Sequence, residues 1–280
     1  MIEMPEATTL ANQMNMALTG KTMQHFGRGE LVHKFLWLNR PVEEYDSILA
    51  GKTVNSASSY GKSIYLYLGG EDLLWFSEFG GRLLYFPGEQ GLPAQKPPSK
   101  VHLRWDFTDG SALALILQMW GAVRLLETSD LTQQPEAETG IPPLSPDFTF
   151  ECFDELLESY PEKSKQGVKG FLVTSKYVNG LGNGYLQDIL FRAGLHPRRK
   201  IPAINEVKRH RLYEAIQETI AQAIDLGGRD DERDLFDRPG GYHRLMNNQA
   251  VGQPCPVCGT PIEKIAYLGG ACYVCAQCQT

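Results

Sequence analysis

Four cysteines near the end of the chain are spaced like the ligands of a metal ion. They form two Cys-x2-Cys pairs with sixteen residues between the pairs: Cys255, Cys258, Cys275 and Cys278. Such pairs on facing turns supply four thiolates at about 2.3 Å around zinc, and a full set of protein ligands marks a structural site rather than a catalytic one. We therefore predict one structural Zn2+ per chain. Cys152 and Cys272 fall outside this spacing and are predicted to be small buried residues.

A second segment places glycine and asparagine residues directly before a predicted helix. Within residues 178–197, the glycines Gly180, Gly182 and Gly184 surround Asn183. Backbone N–H groups at a helix N-terminus, together with the Asn183 amide, can hold a phosphate. The same residue types also form ordinary turns, so this pattern alone leaves both interpretations open.

Charge is segregated along the chain. The formal net charge is −6, yet residues 160–215 contain eleven Lys and Arg residues against four Asp and Glu residues, a local charge of +7. A basic field of this kind is typical of phosphate binding, and acidic regions beyond a Debye length of about 8 Å do not cancel it. The alternative is a basic face that is merely solvated.

The elements that position these residues change in type along the chain. Apolar residues at helical spacing predict a first helix over residues 7–18. Short apolar runs separated by Gly- and Asp-rich turns then predict five strands, at residues 63–68, 73–76, 82–86, 101–107 and 112–117. This regular spacing is typical of a β-sandwich or barrel. Residues 128–147 are rich in Pro, Thr, Ser and acidic residues, as interdomain linkers are.

Helical periodicity follows the predicted linker. Apolar stripes within residues 150–157 and 168–172 predict core helices. The best helical pattern covers residues 203–226, with Val207 on its apolar face, and Gly227-Gly228 ends it. A charged, glycine-containing loop over residues 229–241 then leads into the cysteine module.

These elements predict an α+β multidomain protein. We expect an N-terminal β-sandwich with a flanking helix (1–128), a linker (129–147), a helical domain (148–244) and a four-cysteine zinc module (245–280). A chain of 280 residues is long enough for this organisation. Since it shows neither ~20 consecutive apolar residues nor a signal-peptide pattern, we expect a cytoplasmic protein with reduced cysteines and no membrane partner.

Four short motifs occur in a recognisable order. They are Met1-Ile-Glu-Met-Pro-Glu6, Gly61-Lys-Ser-Ile-Tyr-Leu66, Gly180-Leu-Gly-Asn-Gly-Tyr185 followed by Phe191-Arg-Ala-Gly-Leu-His-Pro197, and the segment 252–262 around the first cysteine pair. They resemble motifs of the Fpg/Nei DNA glycosylases (formamidopyrimidine-DNA glycosylase and endonuclease VIII). The third resembles that family's helix–two-turn–helix motif and the last its zinc ribbon. The resemblance covers essentially the whole chain.

The resemblance implies a base-excision-repair DNA glycosylase. Members of the family flip an oxidised or ring-opened base out of the duplex, and their N-terminal proline attacks the sugar C1′ to form a Schiff base. By position, the resemblance makes Glu3 the acid/base and Glu6 a support of the N-terminus. It assigns DNA contacts to Lys62, Asn183, Tyr185, Phe79, Met119 and Trp120. We expect damaged or abasic double-stranded DNA as the partner, a monomer, and association with the nucleoid.

The chain departs from the family pattern at the nucleophile. Ile2 stands where the family has proline. Because removal of an initiator methionine favours a small second residue, we expect Met1 to stay attached, which makes the Ile2 nitrogen an amide without a nucleophilic lone pair. The Met1 amine or Lys62 would then be the candidate replacement.

The predicted DNA grip also departs from the pattern. Gly270 falls where the zinc ribbon of the family carries a phosphate-binding arginine, and the arginine of the family's wedge is replaced near Met119-Trp120. The apolar wedge itself persists, although ordinary packing at strand ends would explain the same residues. The loop after Gly227-Gly228 carries the acidic run 230–234, which is unfavourable beside phosphates.

Three functions are compatible with these observations. The first is a glycosylase of altered chemistry, in which Glu3 activates water or another amine replaces the proline. The second is an inactive protein that binds damaged DNA. The third is a protein that keeps the fold for contacts with other proteins and no longer binds DNA. The basic segment argues against the third. Retention of both Glu3 and Glu6 favours the first, although Glu3 could instead simply cap the first helix.

Overall fold

The computed structural model describes residues 1–88, 100–133 and 139–280. The chain forms two compact units. The first comprises Met1–Ala137 and Leu226–Gly241, and the second comprises Glu138–Asp225 and Tyr242–Thr280. Among the described helices, none is long and apolar enough to span a bilayer.

The first unit is a β-sandwich with two flanking helices. Its elements in chain order are α1 (Met4–Leu18), β1 (Met23–Arg28), β2 (Leu36–Leu38), α2 (Val42–Leu49), β3 (Val54–Tyr60), β4 (Ser63–Leu68), β5 (Asp72–Ser77), β6 (Gly81–Phe86), β7 (Leu103–Phe107), β8 (Ala112–Leu117) and β9 (Gly121–Glu127). One sheet has the strand order β1-β7-β8-β6 and the other β2-β9-β5-β4-β3. Neighbouring strands are antiparallel except β2 and β9, which run parallel.

Side chains from both sheets and from α1 form one buried apolar cluster. Leu74 and Phe76 of β5, and Leu103 and Trp105 of β7, belong to it, because residues two apart on a strand face the same side. The predicted sandwich is therefore confirmed. The sequence analysis did not predict β1, β2, β3, β9 or α2. Strand β2 is apolar but only three residues long, and β3 is mostly Ser and Asn and contains no apolar run.

The second unit combines three α-helices with a β-hairpin. Its elements are α3 (Phe150–Ser159), a π-helical turn (Gly170–Thr174), α4 (Asn183–Arg192), α5 (Glu206–Asp225), β10 (Glu263–Tyr267) and β11 (Gly270–Val274). The stripe predicted at residues 168–172 lies at the π-helical turn. Val207 is exposed, contrary to the prediction, since the buried face of α5 runs through Leu212, Ile216 and Ile220 at a spacing of four. Cys152 is only half-buried, because Phe153 and Leu157 form the buried face of α3.

The segment Leu226–Gly241 packs with the sandwich, whereas the sequence analysis placed it inside the helical domain 148–244. Gln13 of α1 explains this packing, since its amide donates to Asp234 Oδ2 and accepts from the backbone N–H of Leu235, both at 2.9 Å. Part of the predicted linker, residues 134–138, lies outside the described residues. After it, Ile141 forms a parallel bridge with Val178. The predicted domain boundaries stay a prediction.

Candidate functional site

Two buried glutamates cap the first helix. Glu3 is the N-cap of α1 and Glu6 is its third residue, and together they form a capping box in which the Glu3 N–H donates to Glu6 Oε2 at 2.9 Å. The two residues are 6% and 3% exposed. Carboxylates suit this position because the first N–H groups of a helix lack partners within it. The capping role considered for Glu3 is therefore present in the structure.

The counter-charge of both glutamates comes from Arg229, in the loop that follows α5. Its Nη1 lies 2.8 Å from Glu3 Oε1 and its Nε lies 3.7 Å from Glu6 Oε1. Its backbone N–H also donates to Glu6 Oε1 at 3.1 Å. Since the Arg229 side chain is only 4% exposed, these contacts form a desolvated ion-pair network, which a buried guanidinium requires.

The same guanidinium fixes the start of the chain. Arg229 Nη2 donates to the Met1 carbonyl oxygen at 3.2 Å and to Glu232 Oε1 at 3.0 Å, and the Met1 ammonium lies 3.3 Å from that Glu232 oxygen. Asp231 Oδ1 lies 3.4 Å from Arg229 Nε. We call the six residues Met1, Glu3, Glu6, Arg229, Asp231 and Glu232 the Arg229 cluster. Part of the acidic run that looked unfavourable in the sequence is thus neutralised within it.

The Ile2 nitrogen is an amide held in a hydrogen bond. It donates to the Phe79 carbonyl oxygen at 3.1 Å, and the Ile2 side chain is buried in the core of the sandwich. Phe79 is buried in the same core. Its ring is therefore enclosed in the sandwich, and the DNA contact predicted for Phe79 stays a prediction. Its backbone carbonyl holds the N-terminal segment.

The other predicted residues of this unit lie at its surface. Lys62, at the turn between β3 and β4, pairs with Glu78 at 2.9 Å. Met119 is exposed and Trp120 is half-buried, and their turn is tied to Gly80, whose N–H donates to the Trp120 carbonyl at 2.9 Å. Lys62, Met119 and Trp120 are therefore accessible, as a DNA contact requires.

In the second unit, the four predicted cysteines converge. The sulfur atoms of Cys255, Cys258, Cys275 and Cys278 all lie within 4.8 Å of one another. Two of the sulfur–sulfur distances, Cys258–Cys275 and Cys255–Cys278, measure 3.4 and 3.8 Å. Ligands of a zinc thiolate tetrahedron with bonds of about 2.3 Å lie about 3.8 Å apart, so this donor set fits the predicted structural zinc.

The glycine-rich turn is anchored to the cysteine hairpin. Asn183, the first residue of α4, is exposed, and its Nδ2 donates to the Ala271 carbonyl oxygen at 3.1 Å. Its Oδ1 accepts from Gln187 Nε2 at 3.0 Å. Tyr185 is fully buried, with its ring 5.3 Å from that of Tyr242. This side chain therefore packs inside the unit, and the DNA contact predicted for Tyr185 stays a prediction.

Lys169 lies beneath the same hairpin. It is 2% exposed, and its Nζ donates to the Tyr267 carbonyl oxygen at 2.9 Å and to Cys272 Sγ at 3.4 Å. A Cβ at Gly270 would lie 3.3 Å from this Nζ, so a side chain there would crowd the ammonium group. Cys272 is fully buried, as predicted.

The basic segment 160–215 is partly neutralised by neighbouring acidic residues. Arg209 pairs with Asp154 at 2.8 Å and with Glu158 at 2.6 Å, and Lys163 pairs with Glu158 at 2.9 Å. Both acids precede the segment on α3. The local charge counted from the sequence therefore overstates the field that this face presents.

Sequence reasoning missed Arg229, Glu232 and Lys169 as site residues. A signal for Arg229 was available, because two glutamates beside a helix start need a cation once they are buried. Arg229 directly follows Gly227-Gly228, whose φ angles of +76° and +90° place the chain in the left-handed region. A Cβ at Gly228 would lie 3.1 Å from Glu6 Cγ. Lys169 gave no signal beyond its contribution to the charge count.

Comparisons with known proteins agree over the whole chain. Residues 1–125 match the formamidopyrimidine-DNA glycosylase N-terminal domain, and residues 139–232 match the formamidopyrimidine-DNA glycosylase H2TH domain. A formamidopyrimidine-DNA glycosylase of Bacillus licheniformis is 30% identical over 100% of this chain and 99% of its own length. The structure resembles Lactococcus lactis Fpg in complex with abasic-site DNA (TM-score 0.85, 25% identity) and Fpg of Thermus thermophilus (TM-score 0.80, 25% identity). These alignments cover 99% of this chain and 99% and 98% of the two structures.

Proposed function

Since this chain belongs to the formamidopyrimidine-DNA glycosylase family, we propose that it acts in DNA repair by binding damaged or abasic duplex DNA. The resemblance found in the sequence is thereby confirmed. Lactococcus lactis Fpg has been solved with abasic-site DNA and with DNA carrying a benzylated ring-opened guanine. The full-length match to these complexes supports the same class of partner here.

We propose further that this chain does not cleave DNA through an amine at residue 2. The observation that carries this proposal is the Ile2 nitrogen, which is part of a peptide bond and donates to Phe79 O at 3.1 Å. The lone pair of an amide nitrogen is delocalised into the carbonyl group, so it cannot attack the sugar carbon. The Met1 ammonium, the next amine along the chain, lies in an ion pair with Glu232.

Three accessible residues of the first unit and one of the second support DNA contact. Lys62 carries a cation that can bind a phosphate, and the exposed Asn183 amide lies at the N-terminus of α4. Met119 and Trp120 present apolar surface at a turn, as a wedge between bases would. Zinc, when bound to the four cysteines, would stabilise the hairpin that receives the Asn183 hydrogen bond.

Base hydrolysis by Glu3 is the second candidate function. Its support is the retained, buried Glu3 carboxylate at the helix start. In this reaction Glu3 takes a proton from water while the water oxygen bonds to C1′. The bond from C1′ to the base nitrogen breaks, and the base leaves with that electron pair and gains a proton from solvent.

Three assays on the same oligonucleotides separate these functions. Fluorescence anisotropy on undamaged, abasic and ring-opened-purine duplexes tests binding, and equal affinity for all three at moderate salt would contradict the proposal. Borohydride trapping tests the amine route, and we expect no covalent adduct from this chain. Release of free base without an adduct would favour hydrolysis by Glu3, and a glutamine at position 3 should then abolish it.

A further inference from the structure

Arg229 occupies one of the two carboxylate oxygens that a reaction at Glu3 would use. Glu3 Oε1 accepts from Arg229 Nη1 at 2.8 Å, and the Glu3 side chain also accepts from the Glu6 N–H in the capping box. A general acid or base must gain or release a proton at one of its own oxygens. A proton on Oε1 would point at the guanidinium N–H, so uptake there requires that this contact be broken.

The contact between Arg229 and Glu3 is held at several points, because both the backbone and the side chain of Arg229 are hydrogen-bonded. Its N–H donates to Glu6 Oε1 at 3.1 Å, and its Nη2 bridges the Met1 carbonyl and Glu232. The preceding Gly228 lies against the Glu6 side chain, where a Cβ would come within 3.1 Å. Rotating the Arg229 side chain away from Glu3 would therefore also break the hydrogen bonds of Nη2 with Met1 and Glu232.

Burial makes this arrangement costly to open. The Arg229 cluster contains two cations and four carboxylates, and the Arg229, Glu3 and Glu6 side chains are each at least nine-tenths buried. Separating a buried charge from its partner leaves it without water and without a counter-ion. We therefore expect Glu3 to remain paired with Arg229 when the chain binds DNA.

We propose that Arg229 is a positioning residue that holds Glu3 in this ion pair. By doing so it prevents base excision while the chain stays bound to damaged DNA. The inference rests on the proposed function, since it presupposes that damaged duplex is bound. It predicts that wild type does not excise bases, and it attributes this to a residue 226 positions away from Glu3 in the chain, in addition to the missing proline. It also predicts that hydrolysis can be recovered without restoring an N-terminal amine nucleophile.

The test compares Arg229→Met with wild type in base release from a ring-opened-purine duplex under single-turnover conditions. Methionine fills a similar volume without a donor, so Glu3 Oε1 no longer accepts a hydrogen bond from residue 229 and can take a proton. We expect release to rise by about 100-fold, the lower end of what a positioned acid or base contributes. The rise should disappear in Arg229→Met with Glu3→Gln, and its pH profile should show one ionising carboxyl. Arg238→Met is the matched control, since Arg238 lies on the same loop and is exposed.

A charge-balanced variant covers the case in which Arg229→Met does not fold. Arg229→Met combined with Glu232→Gln removes one cation and one carboxylate, so the formal charge of the cluster stays at −2. The inference would be overturned if Arg229→Met or the double variant folds and binds DNA but releases base no faster than wild type. It would also be overturned if wild type already releases base at the rate of the variant. The proposed function fails separately, if neither wild type nor variant prefers damaged to undamaged duplex in anisotropy.

Discussion

Replacing Arg229 by methionine should destabilise the first unit strongly. The side chain is 4% exposed and is the cation next to both Glu3 and Glu6. Removing one partner of a buried ion pair leaves the other charge desolvated and costs about 3–5 kcal/mol. Arg238→Met removes the same charge from the same loop, but Arg238 is 65% exposed and pairs with Asp234 at the surface. That change should cost about 0–1 kcal/mol, as exposed ion pairs do.

The free energy of unfolding is best followed by tryptophan fluorescence in urea. All four tryptophans of the chain, Trp37, Trp75, Trp105 and Trp120, lie in the first unit, so the signal reports on the unit that contains Arg229. The second unit contains no tryptophan, so its unfolding adds no tryptophan signal of its own. Each variant is compared with wild type at the same pH and salt concentration.

A double-mutant cycle identifies the partner. If Glu3 is the charge that Arg229 compensates, Glu3→Gln should be less harmful in the Arg229→Met background than in wild type. Residues in direct contact couple by about 0.5–3 kcal/mol, and a buried pair belongs at the upper end of that range. A loss for Arg229→Met no larger than for Arg238→Met would refute the burial argument. Additive losses for Glu3 and Arg229 would refute the pairing.

Three further outcomes are expected. Cys258→Ser should abolish zinc binding, measured by elemental analysis, whereas Cys152→Ser should retain one zinc per chain because Cys152 lies outside the four-sulfur cluster; loss of zinc in both would contradict the assignment. Lys62→Ala should weaken DNA binding and lower the slope of log Kd against log salt concentration by about 1. Asn183→Ala should weaken binding without changing this slope, since the asparagine amide is neutral. Equal slopes for both variants would exclude a phosphate contact by Lys62. Burial raises the pKa of Tyr45 from 10.0 to about 12, so the contribution of this hydroxyl to stability is complete below pH 10 and is lost as the pH rises towards 12. In urea titrations between pH 10 and pH 12, the free energy of unfolding should therefore decrease less in Tyr45→Phe than in wild type. Equal decreases in the two proteins would refute this expectation.

Local patterns in the sequence predicted the metal module and the sandwich well. Cysteine spacing is a local signal, because each Cys-x2-Cys pair sits on one turn, and the four sulfur atoms converge as expected. Strands β4, β5, β6 and β8 have continuous apolar runs, and β7 alternates apolar with charged residues, so all five are recognisable within a short stretch of sequence. Strand β3 could not be read this way, since its polar residues are held by pairing with β4 rather than by their own pattern.

The motifs did not predict how deeply individual side chains are buried. Phe79 and Tyr185 occupy motif positions associated with DNA, yet both side chains lie inside their units. Arg229 shows the opposite failure, because nothing within its own segment marks it as the partner of the first helix. Its role depends on contacts with residues more than 220 positions away in the sequence. Local sequence patterns do not predict which distant residues come into contact.

The discontinuity of the first unit has a consequence for how the protein is made. Glu3, Glu6 and Gln13 emerge from the ribosome early, but their partners in Leu226–Gly241 are synthesised only after α3, α4 and α5. Contacts with such large sequence separation form slowly, because a long loop must close before they contribute. During this interval the nascent sandwich holds carboxylates that lack their counter-ion. The N-terminal segment should therefore be the last part of the sandwich to become ordered during translation, and a fragment that stops at residue 137 should never complete it.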